Sequence, residues 1–286
     1  MNDSPVRAAA TPADDAIVNV VAVASGKGGV GKTWLSISLA QALTKLGERV
    51  LLFDGDLGLA NIDVQLGIQP GMDLGTALER HLPLSRAVIS YPNGGFDLIA
   101  GRSGSGTLAS MPINRLQALA AGLRTVGAAY DHVVVDLGAG IERPVRYLAG
   151  RAGYCLVVTT DEPTALTDAY ALIKMLTLDA GEQSKELPIG VVVNMAASRE
   201  IGQRTYETLS KACDRFLKRR PPLLGVIRRD PKVRDAISTQ TPLLTRYPNS
   251  PAAQDIETLA KKVLEATAGA TPGAAAGAAR QAKRSP

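Results

Sequence analysis

Short runs of aliphatic and β-branched residues alternate with longer segments of helical periodicity along most of the chain. The apolar runs predict strands at residues 17–24, 49–53, 96–100, 132–135, 154–159, 189–193 and 223–227. The segments between them predict helices at residues 33–46, 114–126, 164–176, 199–217, 232–238 and 251–266. Because this alternation is typical of βαβ units, we expect an α/β fold with a mostly parallel β-sheet flanked by helices on both faces.

The two ends of the chain differ in composition from its middle. Residues 1–16 are polar and rich in alanine, and residues 267–286 form a basic Ala/Gly/Pro tail. We expect both to be disordered arms around a single folded domain at residues 17–266. The first residues do not resemble a signal peptide, and no apolar run reaches the roughly 18 residues that span a bilayer. A cytoplasmic location is therefore expected.

A glycine-rich segment between the first predicted strand and the first predicted helix matches the pattern G-x-x-x-x-G-K-[ST]. Glycines let backbone N–H groups curl around phosphate oxygens, and a helix N-terminus attracts negative charge. In this pattern Lys32 reaches the β- and γ-phosphates, and the hydroxyl of Thr33 binds Mg²⁺. The sequence therefore predicts a P-loop NTPase that binds ATP or ADP with Mg²⁺ through Gly26, Lys27, Gly28, Gly29, Val30, Gly31, Lys32, Thr33 and Trp34.

Acidic residues end two of the predicted strands. Ligands of parallel sheets bind outside the carboxyl ends of the strands, so these carboxylates face the expected ligand. Asp136 ends an apolar run and fits a Walker B aspartate that holds Mg²⁺ through water. Asp54 and Asp56 follow the second strand. Asp54 is expected to contact the phosphate loop or to cap the turn, and an ordinary turn aspartate is the alternative for both.

The heptapeptide K-G-G-V-G-K-T at residues 27–33 resembles the deviant Walker A motif of the MinD/ParA class of ATPases. The resemblance implies that Lys27 reaches across a dimer interface to the partner's phosphates, as an arginine finger does, with a solvated loop lysine as the alternative. It also implies catalytic roles for Lys27, Lys32 and Asp56. Asp56 would be the switch I aspartate, which lies near Mg²⁺ and positions the attacking water.

The same resemblance extends to the later strands. Residues 137–140 resemble switch II of this class, where γ-phosphate contacts order the loop, although Leu137 stands where Thr or Ser is common. Asn194 corresponds to the asparagine that hydrogen-bonds the adenine, since an amide both donates and accepts. A strand-end asparagine in a turn is the alternative. The resemblance covers about residues 17–266.

Four segments narrow the resemblance within this class. D-L-G-L-A-N-I-D-V at residues 56–64 resembles the MinD branch. Residues 99–104, 136–141 and 162–174 resemble the FlhG family, also called FleN, which controls flagellar number and placement. The resemblance to the FlhG family implies slow ATP hydrolysis and a switch between an ADP-bound or empty monomer and an ATP-bound homodimer. The implied partners are an FlhF-like GTPase, a flagellar switch component or a transcription regulator. Many FlhG proteins carry an N-terminal D-Q-A motif that stimulates FlhF, and residues 1–16 contain no glutamine.

Charge leaves other interpretations open. The net charge is +5, with a pI near 9.2. Non-specific DNA binding, as in ParA partition proteins, is one interpretation of the basic residues, and a solvated helix face beside a basic nucleotide pocket is the favoured one. These residues are Lys211, Arg215, Lys218, Arg219, Arg220, Arg228, Arg229, Lys232 and Arg234.

Three further alternatives concern location and role. The basic tail lacks a hydrophobic face, so membrane association is expected to be weak at most, with a peripheral position at the inner membrane or the cell pole as the alternative location. MinD-like placement of the division site is a second role that the sequence leaves open. A nucleotide-dependent regulator of a transcription factor, with little turnover, is a third.

Overall fold

Eight strands form one β-sheet in the computed structural model of the protein, which describes residues 16–56, 58–101, 111–182 and 187–268. The sheet order is β3-β4-β2-β5-β1-β6-β7-β8. Only β3 runs antiparallel, along β4, and the other described pairs are parallel. The strands are β1 (Ile17–Ser25), β2 (Val50–Gly55), β3 (Val88–Tyr91), β4 (Phe96–Ile99), β5 (His132–Ala139), β6 (Ala152–Thr159), β7 (Ile189–Ala196) and β8 (Leu223–Arg228).

Helices connect the strands and cover both faces of the sheet. All six predicted helices are present, and four short helices and one 3₁₀ turn (Leu84–Ala87) were not predicted. The helices are α1 (Lys32–Lys45), α2 (Ile62–Leu66), α3 (Leu74–Glu79), α4 (Ile113–Gly127), α5 (Arg143–Ala149), α6 (Pro163–Glu182), α7 (Arg199–Leu217), α8 (Pro231–Ser238), α9 (Leu243–Arg246) and α10 (Pro251–Thr267). The predicted α/β class is therefore confirmed.

Two hydrophobic layers lie on opposite faces of the sheet. Val21 and Val23 of β1 join the layer beneath α1, α2 and α8–α10. Val20, Ala22 and Ala24 of the same strand join the layer beneath α3–α7. This alternation explains why the central strands read as continuous apolar runs, because a parallel strand covered on both faces has no solvent side.

The register brings the carboxyl ends of three strands together. Val23 of β1 pairs with Asp136 of β5, and Asp136 pairs with Asp54 of β2. The glycine-rich loop follows β1 at the same edge. Residues from three separate parts of the sequence therefore meet at one crevice.

Most residues of the two terminal arms, expected at 1–16 and 267–286, lie outside the described residues, so the disorder of these arms stays an expectation. Of these arms only Ala16, Thr267 and Ala268 are described, and Thr267 is the last residue of α10. Part of two resemblance segments, Leu57 and residues 102–104, also lies outside. Within the described ranges, no helix has both the length and the apolar character needed to cross a membrane.

Candidate functional site

The glycine-rich loop leaves β1 after Ser25 and enters α1 at Lys32. Gly29 and Gly31 have φ of 79° and 83°, in the left-handed region that favours glycine. The Ser25 hydroxyl donates to the Lys27 carbonyl oxygen at 2.7 Å, which closes the start of the loop. Gly31 caps α1 without a side-chain hydrogen bond, and no acidic residue stands in the first turn of α1. The first amides of α1 are thus left for an anionic ligand.

Two loop glycines lie against the neighbouring elements. A Cβ on Gly26 would lie 2.1 Å from the backbone oxygen of Asp168 in α6. A Cβ on Gly31 would lie 2.6 Å from Nδ2 of Asn194 at the end of β7. Both distances are far below van der Waals contact, so any larger residue at position 26 or 31 would clash. α6 and β7 can pack this closely on the loop only because these two residues are glycine.

Lys32 and Asp136 form the charged floor of the crevice. Lys32 is 8% exposed, and burial lowers its pKa while the carboxylates of Asp136 and Asp56 oppose that change. Asp136 is 1% exposed and accepts hydrogen bonds from the hydroxyls of Thr33 and, at 3.0 Å, of Ser36. Burial raises the pKa of Asp136 to about 6 against these bonds and the charge of Lys32. The structure thus brings Lys32, Thr33 and Asp136 together, as the sequence predicts.

The two aspartates after β2 differ in their surroundings. Asp54 is fully buried and accepts the backbone N–H groups of Asp56 at 3.2 Å and Ile62 at 3.3 Å. Burial and the neighbouring Asp136 raise the pKa of Asp54 to about 8. Asp56 is partly exposed, accepts the N–H of Leu59 at 3.0 Å and lies over Gly138. Asp54 therefore caps the turn, and Asp56 faces the segment that resembles switch II.

Lys27 is bonded to the start of α6. Its Nζ lies 2.7 Å from Oε2 of Glu162 and 2.7 Å from Oγ1 of Thr164. Sequence reasoning assigned no role to these two partners. The only sequence signal for them was the resemblance of residues 162–174 to a family segment.

Asn194 holds the loop in this structure. Its Nδ2 donates to the Val30 carbonyl at 2.8 Å, and its Oδ1 accepts the N–H of Met195 at 2.9 Å. Asn194 is buried, as is Trp34 on the first turn of α1. Trp34 packs within the layer beneath α1, and its Nε1 has no hydrogen-bond partner among the described residues. The predicted contacts of Asn194 with adenine and of Trp34 with nucleotide stay predictions.

The segment that resembles switch II begins as a continuation of β5, which extends to Ala139. The N–H of Gly140 donates to the Ser25 carbonyl at 2.8 Å, so the segment is tied to the glycine-rich loop. Leu137 is buried in the layer beneath α3–α7, on the opposite face from the Asp136 carboxyl. A side chain at position 137 therefore packs in the core in this conformation.

Oxygen atoms that could hold a divalent cation line the crevice. Thr33 offers a hydroxyl, and Asp56 and Asp136 offer carboxylates. Among the described residues, no group of three or more His, Cys, Asp or Glu side chains could hold a metal by itself. This donor set suits Mg²⁺, which keeps several waters and takes further oxygen ligands from phosphates.

The basic cluster separates into two parts. Residues 211–220 precede β8, whereas Arg228 is the last residue of β8 and residues 229–234 follow it. The two parts therefore lie at opposite ends of a strand about 20 Å long. Several members also have acceptors within the chain: Arg219 donates to the Leu187 carbonyl, Arg220 pairs with Asp214, and Arg228 pairs with Asp255. This arrangement favours the solvated-face interpretation.

A family model described as the CobQ/CobB/MinD/ParA nucleotide binding domain matches residues 21–243. Among curated proteins, the chain is 39% identical over 246 residues to the antiactivator FleN of Pseudomonas aeruginosa, covering 86% of each protein. It is 33% identical over 243 residues to the flagellum site-determining protein YlxH of Helicobacter pylori, covering 84% of this chain and 80% of YlxH.

Two solved structures extend the similarity to the fold. MinD of Pyrococcus horikoshii complexed with Mg-ADP superposes with a TM-score of 0.70 and 25% identity, covering 86% of this chain and 95% of that one. A chain of the MinC:MinD complex of Aquifex aeolicus superposes with a TM-score of 0.69 and 27% identity, covering 86% and 96%.

Proposed function

The chain belongs to the family of CobQ/CobB/MinD/ParA nucleotide-binding domains, and from this premise we propose that it is a slow ATP hydrolase. The observation that carries the proposal is the convergence of Lys32, Thr33 and Asp136 at a glycine-rich loop that opens a helix. The similar MinD of P. horikoshii is a complex with Mg-ADP, which supports ATP or ADP with Mg²⁺ as the ligands.

The side chains around the loop have distinct roles in this proposal. Lys32 binds the β- and γ-phosphates, and the loop amides surround the phosphate oxygens. Thr33 and Asp136 would hold Mg²⁺, which neutralises charge on the phosphates when bound. Asp56 orients the attacking water, and the position of its carboxyl over Gly138, in the segment that resembles switch II, supports this role. Asn194 would contact the adenine in addition to the loop.

We further propose that ATP drives the formation of a homodimer and that hydrolysis returns it to a monomer. In the dimer, Lys27 of each protomer contacts the nucleotide of the other. The partial exposure of Lys27, whose partners Glu162 and Thr164 are also at the surface, supports this role, because a lysine at the rim can reach a second protomer.

Light scattering with ATP and Mg²⁺ tests the dimer. Asp56→Ala should bind ATP, fail to hydrolyse it and show twice the mass of the monomer. Lys27→Ala should remain a monomer. The control is Lys45→Ala, which should behave as wild type, because Lys45 is an exposed lysine at the end of α1 farthest from the loop and pairs with Glu257 of α10. Monomers in all variants and in wild type at tens of micromolar would rule out the role of Lys27 in trans.

In the cell, we propose that this ATPase limits the number or sets the position of flagella. The names of two relatives, an antiactivator and a flagellum site-determining protein, support this role. The expected partners are a transcription regulator, an FlhF-like GTPase or a flagellar switch component. The protein would act in the cytoplasm, with at most weak peripheral contact at the membrane or cell pole.

A deletion strain tests the cellular role. It should show altered flagellar number or position, and Asp56→Ala should act as a dominant, ATP-locked form. Loss of plasmids or chromosomes with normal flagella would instead indicate a ParA-like partition role that depends on DNA. Misplaced septa would indicate a MinD-like role in division.

A further inference from the structure

A cavity of about 350 Å³ lies where α4, α5 and α6 meet, on the face of the sheet opposite α1. Its lining includes Arg143 and Arg146 of α5 and Arg151, two residues after that helix. Asp179 of α6 is the only acidic residue among the described residues that line it. Three guanidinium groups and one carboxylate leave the lining with a formal charge of +2.

The end of this cavity that Arg151 lines is remote from the glycine-rich loop. Arg151 directly precedes β6, and its carbonyl accepts the N–H of Ile17 at the amino end of β1. The loop follows the carboxyl end of β1, after Ser25. The nine residues of β1 therefore separate the two places, by about 30 Å along the strand.

The arginines of the cavity have donors to spare. Nη1 of Arg146 lies 2.8 Å from each carboxylate oxygen of Asp179. Nε of Arg146 is buried and has no hydrogen-bond partner among the described residues, although the side chain as a whole is 19% exposed. Arg143 is exposed and forms no ion pair with any described residue. A single aspartate thus leaves most of the positive charge uncompensated.

The other walls offer flat and apolar surfaces. The guanidinium of Arg151 lies 3.5 Å from the centre of the Tyr147 ring, in a stacked pair. Ile113, Leu176 and Leu187 supply aliphatic surface. An aromatic ring of a ligand packs well against such surfaces, and arginine forks bind phosphate oxygens in pairs.

We propose that this cavity binds a small organic phosphate monoester that carries a planar group, such as a nucleoside monophosphate. The two negative charges of a phosphate monoester match the charge of the lining. Arg143 and the remaining N–H groups of Arg151 are the donors, since only Nη1 of Arg151 is engaged, by a long bond of 3.4 Å to the Tyr147 carbonyl oxygen. The base or another planar group packs on the Tyr147 and Arg151 pair and the aliphatic wall. The volume lies at the lower end of the range of about 300–1,000 Å³ that is usual for small-molecule pockets.

Equilibrium dialysis of the full chain with labelled AMP or GMP tests the proposal, with the glycine-rich loop saturated by unlabelled ADP and Mg²⁺. We expect saturable binding of close to one nucleotide per chain. Arg143→Gln and Arg151→Gln should each weaken it by about tenfold or more, because each removes a charge-assisted bond to phosphate. The control Arg115→Gln removes an exposed arginine of α4 that does not line the cavity, and it should leave binding unchanged.

Two further measurements separate this site from the loop. AMP should bind equally well to Lys32→Ala, and ADP should bind normally to the Arg143 and Arg151 variants. The absence of saturable AMP and GMP binding at millimolar concentrations would overturn the proposal, as would binding that both arginine variants retain. Inorganic phosphate that binds as tightly as AMP would overturn the assignment of the planar group.

Discussion

Lys27 and Glu162 form an ion pair within one chain, with Nζ and Oε2 2.7 Å apart. The hydrogen bond from Lys27 lowers the pKa of the Glu162 carboxyl, so Glu162 is ionised at neutral pH. While this bond and the one to Thr164 persist, Lys27 is directed at α6 of its own protomer. If Lys27 acts on the nucleotide of a second protomer, it must first leave Glu162.

Glu162→Gln should therefore favour the ATP-dependent dimer. The substitution removes a competing partner of Lys27, and exposed pairs of this kind are weak, so the dimer affinity should rise by less than about tenfold. Sedimentation at several protein concentrations with ATP and Mg²⁺ measures it. Glu265→Gln, an exposed acid of α10, is the matched control. An unchanged or weaker dimer in Glu162→Gln would show that the ion pair does not restrain Lys27, or that Glu162 itself supports the dimer.

Gly26→Ala should destabilise the protein, whereas Gly28→Ala should not. The new Cβ at position 26 would lie 2.1 Å from the Asp168 backbone oxygen, which belongs to a long helix and cannot rotate away. At position 28 the nearest atom would be 4.0 Å away, on Ala139. We expect Gly26→Ala to lose about 1–3 kcal/mol of unfolding free energy. Urea denaturation without nucleotide measures both variants, and equal stabilities would refute the close packing of α6 on the loop.

The sequence predicted the sheet well because buried parallel strands carry a strong signal. The run Val133, Val134, Val135 is apolar on both faces, and its position between two helical patterns leaves little choice of structure. The four-residue strand β3 was missed, since it lies at the sheet edge and has only its antiparallel neighbour β4 as a partner. The helices α2, α3, α5 and α9 have four to seven residues, which is too short to show helical periodicity.

The composition of the crevice was predictable from the sequence, but its connections were not. A motif shows that Lys32 and Thr33 belong together, and strand ends show where Asp136 must lie. The bond from Asn194 to Val30 joins residues 164 positions apart, and the contact of Gly26 with Asp168 also joins segments that are far apart in the sequence. Such contacts depend on how α6 and β7 pack on the loop, which no local pattern encodes.

Asp255 of α10 should stabilise the fold in a pH-dependent manner. Burial opposes its ionisation, but hydrogen bonds from Arg228 and Arg199 outweigh burial and hold the pKa of Asp255 below its ordinary value. A carboxyl with a depressed pKa stabilises the protein above its unfolded-state pKa, and this contribution is lost as the pH falls through the folded-state pKa. Asp255→Asn should cost about 2–4 kcal/mol at pH 7, because two arginines lose their charged partner.

Urea denaturation from pH 7 down to pH 3 measures this effect. The difference in unfolding free energy between wild type and Asp255→Asn should shrink on the acid side, below the ordinary pKa of an aspartate. Asp214→Asn is the control, since Asp214 pairs with Arg220 on the surface and should change stability little. A difference that is independent of pH would mean that Asp255 acts through packing alone.

Trp34 should report the state of the crevice. It is the only tryptophan of the chain, it is 6% exposed, and it follows Thr33 on the first turn of α1. The Thr33 hydroxyl bonds Asp136 in this structure, and a bound Mg²⁺ would engage both side chains instead. The first turn would then adjust, and the packing around the indole would change with it. The emission of wild type should therefore shift on addition of ATP and Mg²⁺, with a midpoint equal to the dissociation constant from dialysis.

Lys32→Ala should bind no ATP, because it lacks the main positive charge on the β- and γ-phosphates, and its emission should stay constant in the same titration. Lys45→Ala, at the other end of α1, should shift as wild type does. A shift that Lys32→Ala retains would show that the signal does not come from the loop. If ATP binds wild type by dialysis and the emission of Trp34 does not move, then Trp34 packs independently of the nucleotide and is not part of the binding site.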